Sequence, residues 1–327
     1  MADTKPDLSA LTLRGLDLCE QNLAGLSFAG KTVCDTSFVR ADLRGCDFTG
    51  ATVTGCDMAE ARLNDAVLDE ISIENTRLTG AYLSFASLVR ASFVSVDLDK
   101  AHLEESLLQD ASLRDVHWRG AFFAKATLRG LSKLPPFEEA DLTQTHCLEC
   151  DVSGLCVIRS QAPMLILQHC TGRDMTVVAS DLRQCVAMDG DFSGSSFRQT
   201  ILTRAAFIGS DLSRCDFFGA TLNEANCQGS ILRCAQLAGV SLVKASLCSA
   251  DCSGANFTRA TLTMADLSHA LVDHALFDGA DLSLANLHAV DMSRASKARA
   301  NLTGIRPTDP DLLRAETFQT PVIRAKG

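Results

Sequence analysis

The sequence predicts a solenoid, a chain wound in coils about a narrow apolar core. Two observations carry that reading: a large apolar residue recurs at every fifth position, and a small residue stands two places before most of them. In the stretch ADLRGCDFTGATVTGCDMAEARL the large residues are Leu43, Phe48, Val53, Met58 and Leu63. A period of five matches neither the 3.6 residues of a helical turn nor the alternation of a strand, and either geometry would scatter these side chains over several faces.

The first run keeps its register from Leu8 to Leu128, and its twenty-five centres are all apolar. A second run begins at Leu142 and holds its own register to Leu302 through Leu182, Phe192, Phe207, Phe217, Leu262 and Leu287. Leu128 and Leu142 are fourteen residues apart, so the register slips by one. The slip falls on RGLSKLPPFEEAD, where Pro135 and Pro136 interrupt a hydrogen-bonded ladder. The expected organisation is therefore a first run at 1–130, a register break at 131–141, a second run at 142–304 and a C-terminal cap and tail at 305–327. Because a solenoid grows by stacking, these segments form one rod rather than separate domains.

The small position is Ala nine times in succession from Ala245 to Ala285, which lets the chain turn tightly and still fill its core. Asp or Asn often precedes the centre, as at Asp42, Asp181, Asn226, Asp266 and Asn286. The unit read as ADLSH at Ala265, ANFTR at Ala255 and ADLSL at Ala280 resembles the pentapeptide-repeat proteins over about residues 6–304. The resemblance implies an all-β solenoid, a right-handed quadrilateral parallel β-helix with four pentapeptides per coil. At a strand spacing of ~4.8 Å, roughly 14 coils would make a rod about 65 to 70 Å long.

Beyond Asn301 the repeat ends, and TDPDLLRAETF reads as a short capping helix. Asp309 is its N-cap, Pro310 its first helical residue, and Leu312, Leu313 and Phe318 an apolar side. A cap is expected because the ends of a β-solenoid expose unpaired edges. Relatives of this kind often dimerise end to end through C-terminal helices, so a monomer and an end-to-end homodimer are both open. No apolar stretch is long enough for a membrane span, and MADTKPDLSA lacks a signal peptide's apolar segment, so a cytoplasmic location is expected.

Nine of the fourteen cysteines fall on inward positions, where a reduced thiol packs as a small hydrophobe. Cys147, Cys150, Cys156 and Cys170, with His169, have some metal-ligand flavour. No second C-x-x-C pair completes a site, and packing is the expected role. No nucleophile elbow, phosphate loop or helix metal motif occurs, so neither catalysis nor a cofactor or metal is expected.

A net charge of −10 argues against direct binding of nucleic acid. It agrees with those pentapeptide-repeat proteins that resemble duplex DNA and bind DNA gyrase, protecting it from quinolones. Steps of twenty residues test that idea. Glu20, Arg40, Glu60, Gly80, Lys100 and Gly120 mix signs, and the most acidic column is Asp191, Asp211, Ile231, Asp251, Leu271 and Asp291. The candidate acidic face is thus Asp191, Asp211, Asp251 and Asp291.

Outward apolar positions are expected at Phe85, Phe122, Ile201, Ile208, Phe218, Ile231, Met264, Leu271, Leu276 and Leu284. Leu271, Leu276 and Leu284 are read as one patch on the last coils. Leu134 and Phe137 flank the prolines where the repeat fails, and the break is either a projecting functional loop or a simple coil misalignment or hinge. A second irregularity lies in SQAPMLILQHCTGRD, where Ala162 and Gly172 take centre positions. The candidate partner-binding residues are therefore Leu134, Phe137, Phe218, Ile231, Leu271, Leu276 and Leu284. The expected function is a non-enzymatic scaffold for protein partners. Units such as RQCVAMDGDFSGSSFRQT resemble the arrays of type VI secretion accessory proteins in Gram-negative bacteria. A gyrase-binding DNA mimic is the alternative.

Overall fold

A computed structural model describes residues 10–317, so Leu8 and Phe318 lie outside the described residues. The chain winds as a parallel β-solenoid in which position n pairs with n + 20. The bridges Asp17–Ser37–Asp57, Asn22–Asp42–Arg62 and Ser27–Asp47–Val67 mark three of its faces. The fourth is built from β1 (Thr12–Arg14), β2 (Thr32–Cys34), β3 (Thr52–Thr54), β4 (Ser72–Glu74), β5 (Ser92–Asp97) and, beyond β6 (Leu107–Gln109), β7 (Ser112–His117). Further strands are β8 (Thr127–Arg129), β9 (Phe137–Glu138), β10 (His146–Leu148), β11 (Cys156–Ile158), β12 (Ile166–Gln168) and β13 (Thr176–Val178). They pair as β6–β8–β10–β12 and β9–β11–β13, all in parallel. Beyond Val178 each face touches the next coil by single bridges, such as Asp211–Ile231–Asp251–Leu271.

The five-residue period is explained by the corner. Two residues after each centre the backbone adopts positive φ, as at Glu20 (φ 59°), Arg40 (φ 55°) and Gly50 (φ 62°), so the next unit starts on a new face. The Asp or Asn before the centre caps this turn. The Asp17 carboxylate accepts from Cys19 N–H at 3.1 Å, and Asp141, Asp266 and Asn286 accept in the same way from Thr143, Ser268 and His288.

Corners come in two kinds. Where the small residue is Ala, its N–H generally donates to the preceding centre, as in Ala255 to Cys252 O (3.0 Å) and Ala265 to Leu262 O (2.9 Å). Where the strand runs one residue further, that N–H is satisfied by a hydroxyl from the next coil. Leu16 N–H donates to Thr36 Oγ1, Cys56 to Thr76 Oγ1, Ala140 to Ser160 Oγ, and Ser160 to Ser180 Oγ. The buried hydroxyls Thr36, Thr76, Ser160 and Ser180 are thus structural, because an orphaned buried N–H costs about 1–3 kcal/mol.

The register break is not a projecting loop. The rod loses one residue and continues: Phe122 bridges Asp141 and Ser132 bridges Asp151, a step of nineteen. Leu134 (8% exposed) and Phe137 (2% exposed) are core residues, which corrects their reading as partner-binding positions. Phe137 lies 4.8 Å from Trp118 with the rings 8° apart, and Trp118 Nε1–H donates to Pro136 O at 2.9 Å. The short unit thus turns its apolar residues inward to keep the core filled. At the second irregularity Gly172 leaves room that other side chains take. A Cβ there would lie 2.7 Å from both Met175 Sδ and the Phe192 ring.

The described residues close with α1 (Pro310–Glu316), with Asp309 as N-cap accepting from Asp311 and Leu312 N–H. Of its expected apolar side, Leu312 is exposed and Leu313 half-buried, and Phe318 lies outside the described residues. Polar contacts attach it. Ala289 N–H donates to Thr308 Oγ1, Asp309 N–H to His288 Nδ1 (3.2 Å), and His288 Nε2 meets Glu316 Oε2 at 3.1 Å.

Candidate interaction surfaces

The acidic column is built by the corner chemistry. Asp191 accepts from the Ser193 backbone N–H (3.1 Å) and hydroxyl (2.7 Å), Asp211 from Ser213 N–H (2.8 Å), Asp251 from Ser253 N–H (3.1 Å) and Asp291 from Ser293 N–H (2.8 Å). Arginines from neighbouring coils take the second oxygen of two of the four, with Arg173 Nε 2.5 Å from Asp191 Oδ2 and Arg233 Nε 2.5 Å from Asp251 Oδ2. Partial burial pushes the Asp191 and Asp251 carboxyls up, but the Ser193 and Ser253 hydrogen bonds and the two arginines outweigh it, leaving both below the ordinary value. Arg214 lines the shallow hollow over Asp191 and Asp211 together with Arg173 and Arg233. The column is therefore a mixed-charge surface.

The apolar candidates do not gather as expected. Leu271 bridges Asp251, Leu276 bridges Asn256 and Ser296, and Leu284 sits at the corner after Leu282 beside Gly304. Leu271 and Leu276 occupy adjacent faces, and Leu284 occupies a corner beyond a third, so the three are not one patch. Ile231 stands in the Leu271 column with Asp251 between them. Phe218, 55% exposed, lies under the Arg198 guanidinium, 5.0 Å from its ring centre.

A different cluster forms on the face whose centres run Leu63, Leu83, Leu103 and Phe123. Tyr82, His102 and Phe122 bridge in sequence along it. Their rings stack with centroids 4.8 and 4.6 Å apart and planes 10° and 11° apart. Tyr82 and Phe122 are exposed, His102 is half-buried, and Phe85 is exposed at the corner of the Tyr82 unit. His102 Nδ1 is fixed by Glu104 Oε1 at 3.0 Å. Met164, Ile201, Met264 and Leu284 lie farther along the same face or its corner. It thus carries seven of the fifteen exposed large apolar side chains among the described residues, although it is one face of four. Tyr82 and His102 were missed in the sequence, yet steps of twenty back from Phe122 land on both.

The nine inward cysteines are packed in the core. Cys150 Sγ–H reaches Leu128 O and Leu148 O at 3.4 Å, and Cys170 Sγ–H reaches Cys147 O at 3.3 Å. Burial pushes the Cys147 thiol well up, and burial also pushes Cys185 and Cys227 up to about 12, so all three stay protonated at neutral pH. Among the described residues the one group of three or more His, Cys, Asp or Glu side chains close enough to share a metal ion is His269, His288 and Glu316. No helix among the described residues is long and apolar enough to cross a membrane.

Fold and surface together define a parallel β-solenoid with a filled core and its chemistry on the outside. The pentapeptide-repeat family model matches in eight copies, including residues 36–75, 66–104, 76–115, 201–235, 210–247, 235–271 and 265–304, and the chain belongs to that family. Among solved structures it is similar to HetL, a pentapeptide repeat protein involved in heterocyst differentiation regulation in the cyanobacterium Nostoc. Identity there is 21%, coverage 90% of this chain and 87% of that one, and the TM-score 0.15. A pentapeptide repeat protein of the Arabidopsis thaliana thylakoid lumen is 34% identical over 33% of this chain and 77% of that one (TM-score 0.26). QnrB1, a plasmid-mediated fluoroquinolone resistance protein, is 16% identical over 65% of this chain and 89% of that one (TM-score 0.21). These likenesses carry no argument beyond the family itself. No curated protein matches the chain at a significant level.

Proposed function

We propose that this rod is a non-enzymatic protein-docking scaffold and that the Tyr82–His102–Phe122 ladder, with Phe85 at its edge, is its principal contact. The ring stack itself carries the reading. It places exposed aromatic side chains in one rigid row, so docking a partner there costs little side-chain entropy, and aromatic side chains are enriched at the centres of interfaces. The solenoid supplies rigidity because each coil is hydrogen-bonded to the next along its length. A DNA mimic would need carboxylates free to face a partner, whereas every aspartate of the Asp191 column accepts a turn N–H, and Asp191 and Asp251 are also paired with arginines. A place beside a secretion apparatus is a finer form of the scaffold reading and rests on the sequence resemblance alone.

The test compares proteins retained from cells of origin by the intact rod, by a Tyr82→Ser/Phe85→Ser/Phe122→Ser variant and by an Asp191→Asn/Asp211→Asn/Asp251→Asn variant. Loss of a partner from the aromatic variant, with retention by the aspartate variant at moderate salt, is expected. Retention by the aromatic variant with loss by the aspartate variant, gyrase subunits among the proteins lost, would replace this reading with the mimic.

A further inference from the structure

We propose that His269, His288 and Glu316 form a binding site for zinc or a similar borderline divalent transition-metal ion, which clasps α1 to the last coils. The inference is independent of the docking surface. Glu316 Oε2 lies 3.1 Å from His288 Nε2 and 3.4 Å from His269 Nε2. Ligands about 2.0–2.1 Å from a tetrahedral zinc ion stand roughly 3.3 Å apart, so both separations already suit coordination. The third separation is within 4.8 Å, and the imidazole planes cross at 72°, which lets the two nitrogens approach one ion from different directions. His288 is buried, and His269 and Glu316 are partly open to a shallow hollow from which water can supply a fourth ligand. Two imidazoles and one carboxylate are donors suited to zinc, copper or nickel rather than to calcium or magnesium. Arg306 and Asp309 line the same hollow with opposite charges, and the Asp309 carboxylate is engaged by Asp311 and Leu312 N–H.

Binding a metal would alter one hydrogen bond of His288. His288 Nδ1 accepts from Asp309 N–H, which leaves the ring proton on Nε2, facing Glu316. Coordination through Nε2 moves that proton to Nδ1, with no net release from a neutral ring. The Asp309 N–H contact then opens to solvent. Metal thus exchanges a hydrogen bond before the first turn of α1 for a bond to its last residue.

The test is titration of the full chain with Co²⁺, read by its visible absorption, followed by displacement with Zn²⁺ measured calorimetrically. A tetrahedral Co²⁺ spectrum at one equivalent, bleached by Zn²⁺, is expected. His269→Asn removes an exposed ligand without touching the core. It should weaken Zn²⁺ binding by more than the roughly 10-fold to 100-fold that loss of an outer-shell partner costs. Glu316→Gln should weaken it similarly, and the thermal transition of both apo variants should stay near that of the intact apo protein. An octahedral Co²⁺ spectrum, or Zn²⁺ affinity unchanged in His269→Asn, overturns the site and leaves His288–Glu316 as a hydrogen-bonded clasp only.

Discussion

The Asp191 column and the Tyr82 ladder are both built by stacking one residue per coil, yet they use the outward position in opposite ways. In the column each carboxylate turns back on its own chain to accept a corner N–H, and arginines from adjacent coils pair with two of the four, Asp191 and Asp251. In the ladder the rings touch one another and otherwise face outward. Formal charge on a solenoid therefore says little about what a partner meets, because much of it is committed to the corners. An exposed ring has no such duty, and its presence calls for another reason.

Four tests, from the largest effect to the smallest, first break the core that both surfaces share and then separate the two surfaces. Phe207→Asp puts an unpaired charge into the core on which both surfaces depend, and should cost on the order of 4 kcal/mol, seen as a collapse of the thermal transition. A stable variant would reject the five-residue register itself. Asp191→Ala removes a turn cap and should cost about 1 kcal/mol in denaturant unfolding, whereas Asp191→Asn, whose side-chain oxygen still accepts from Ser193, should cost far less. Equal losses would show that the charge, not the cap, matters there.

Tyr82→Ala should cost only a few tenths of a kcal/mol, the scale of a cross-strand pair, while weakening partner retention. The smallest effect is on the acid limb of stability. The Asp191 and Asp251 carboxyls titrate below their ordinary value of 3.8, so the unfolded chain binds the proton first as pH falls. Their contribution is present above pH 3.8 and lost as pH drops through the lower folded value. Asp191→Asn/Asp251→Asn should flatten that limb in pH-dependent melting, and the ladder substitutions should leave it unchanged.

Most of the fold was legible because one period sets every inward side chain: Leu43, Phe48, Val53 and Met58 are all buried as their spacing requires. The role of Ser160 and Thr36 was not legible, since a hydroxyl and an alanine suit the small position equally until the corner's hydrogen bond is known. The sequence could not choose between a loop and a coil misalignment at Pro135–Pro136, because prolines end ladders in either case; the deletion of one residue is absorbed as Leu134 and Phe137 turn inward. The interaction surface was misjudged for a geometric reason. Leu271, Leu276 and Leu284 are close along the chain yet lie around the rod, while Tyr82, His102 and Phe122 are forty residues apart end to end and stack directly. The His269–His288–Glu316 group was hidden because it joins the last coils to a helix outside the repeat.

The most direct measurement is site-specific photo-crosslinking in the cell of origin, with a benzophenone side chain placed in turn at Phe85, at Asp211 and at Leu271. The account predicts that one protein crosslinks from Phe85 and that the other two positions yield no comparable product. A product from Asp211 without one from Phe85 would contradict it and return the acidic column to the centre of the protein's function.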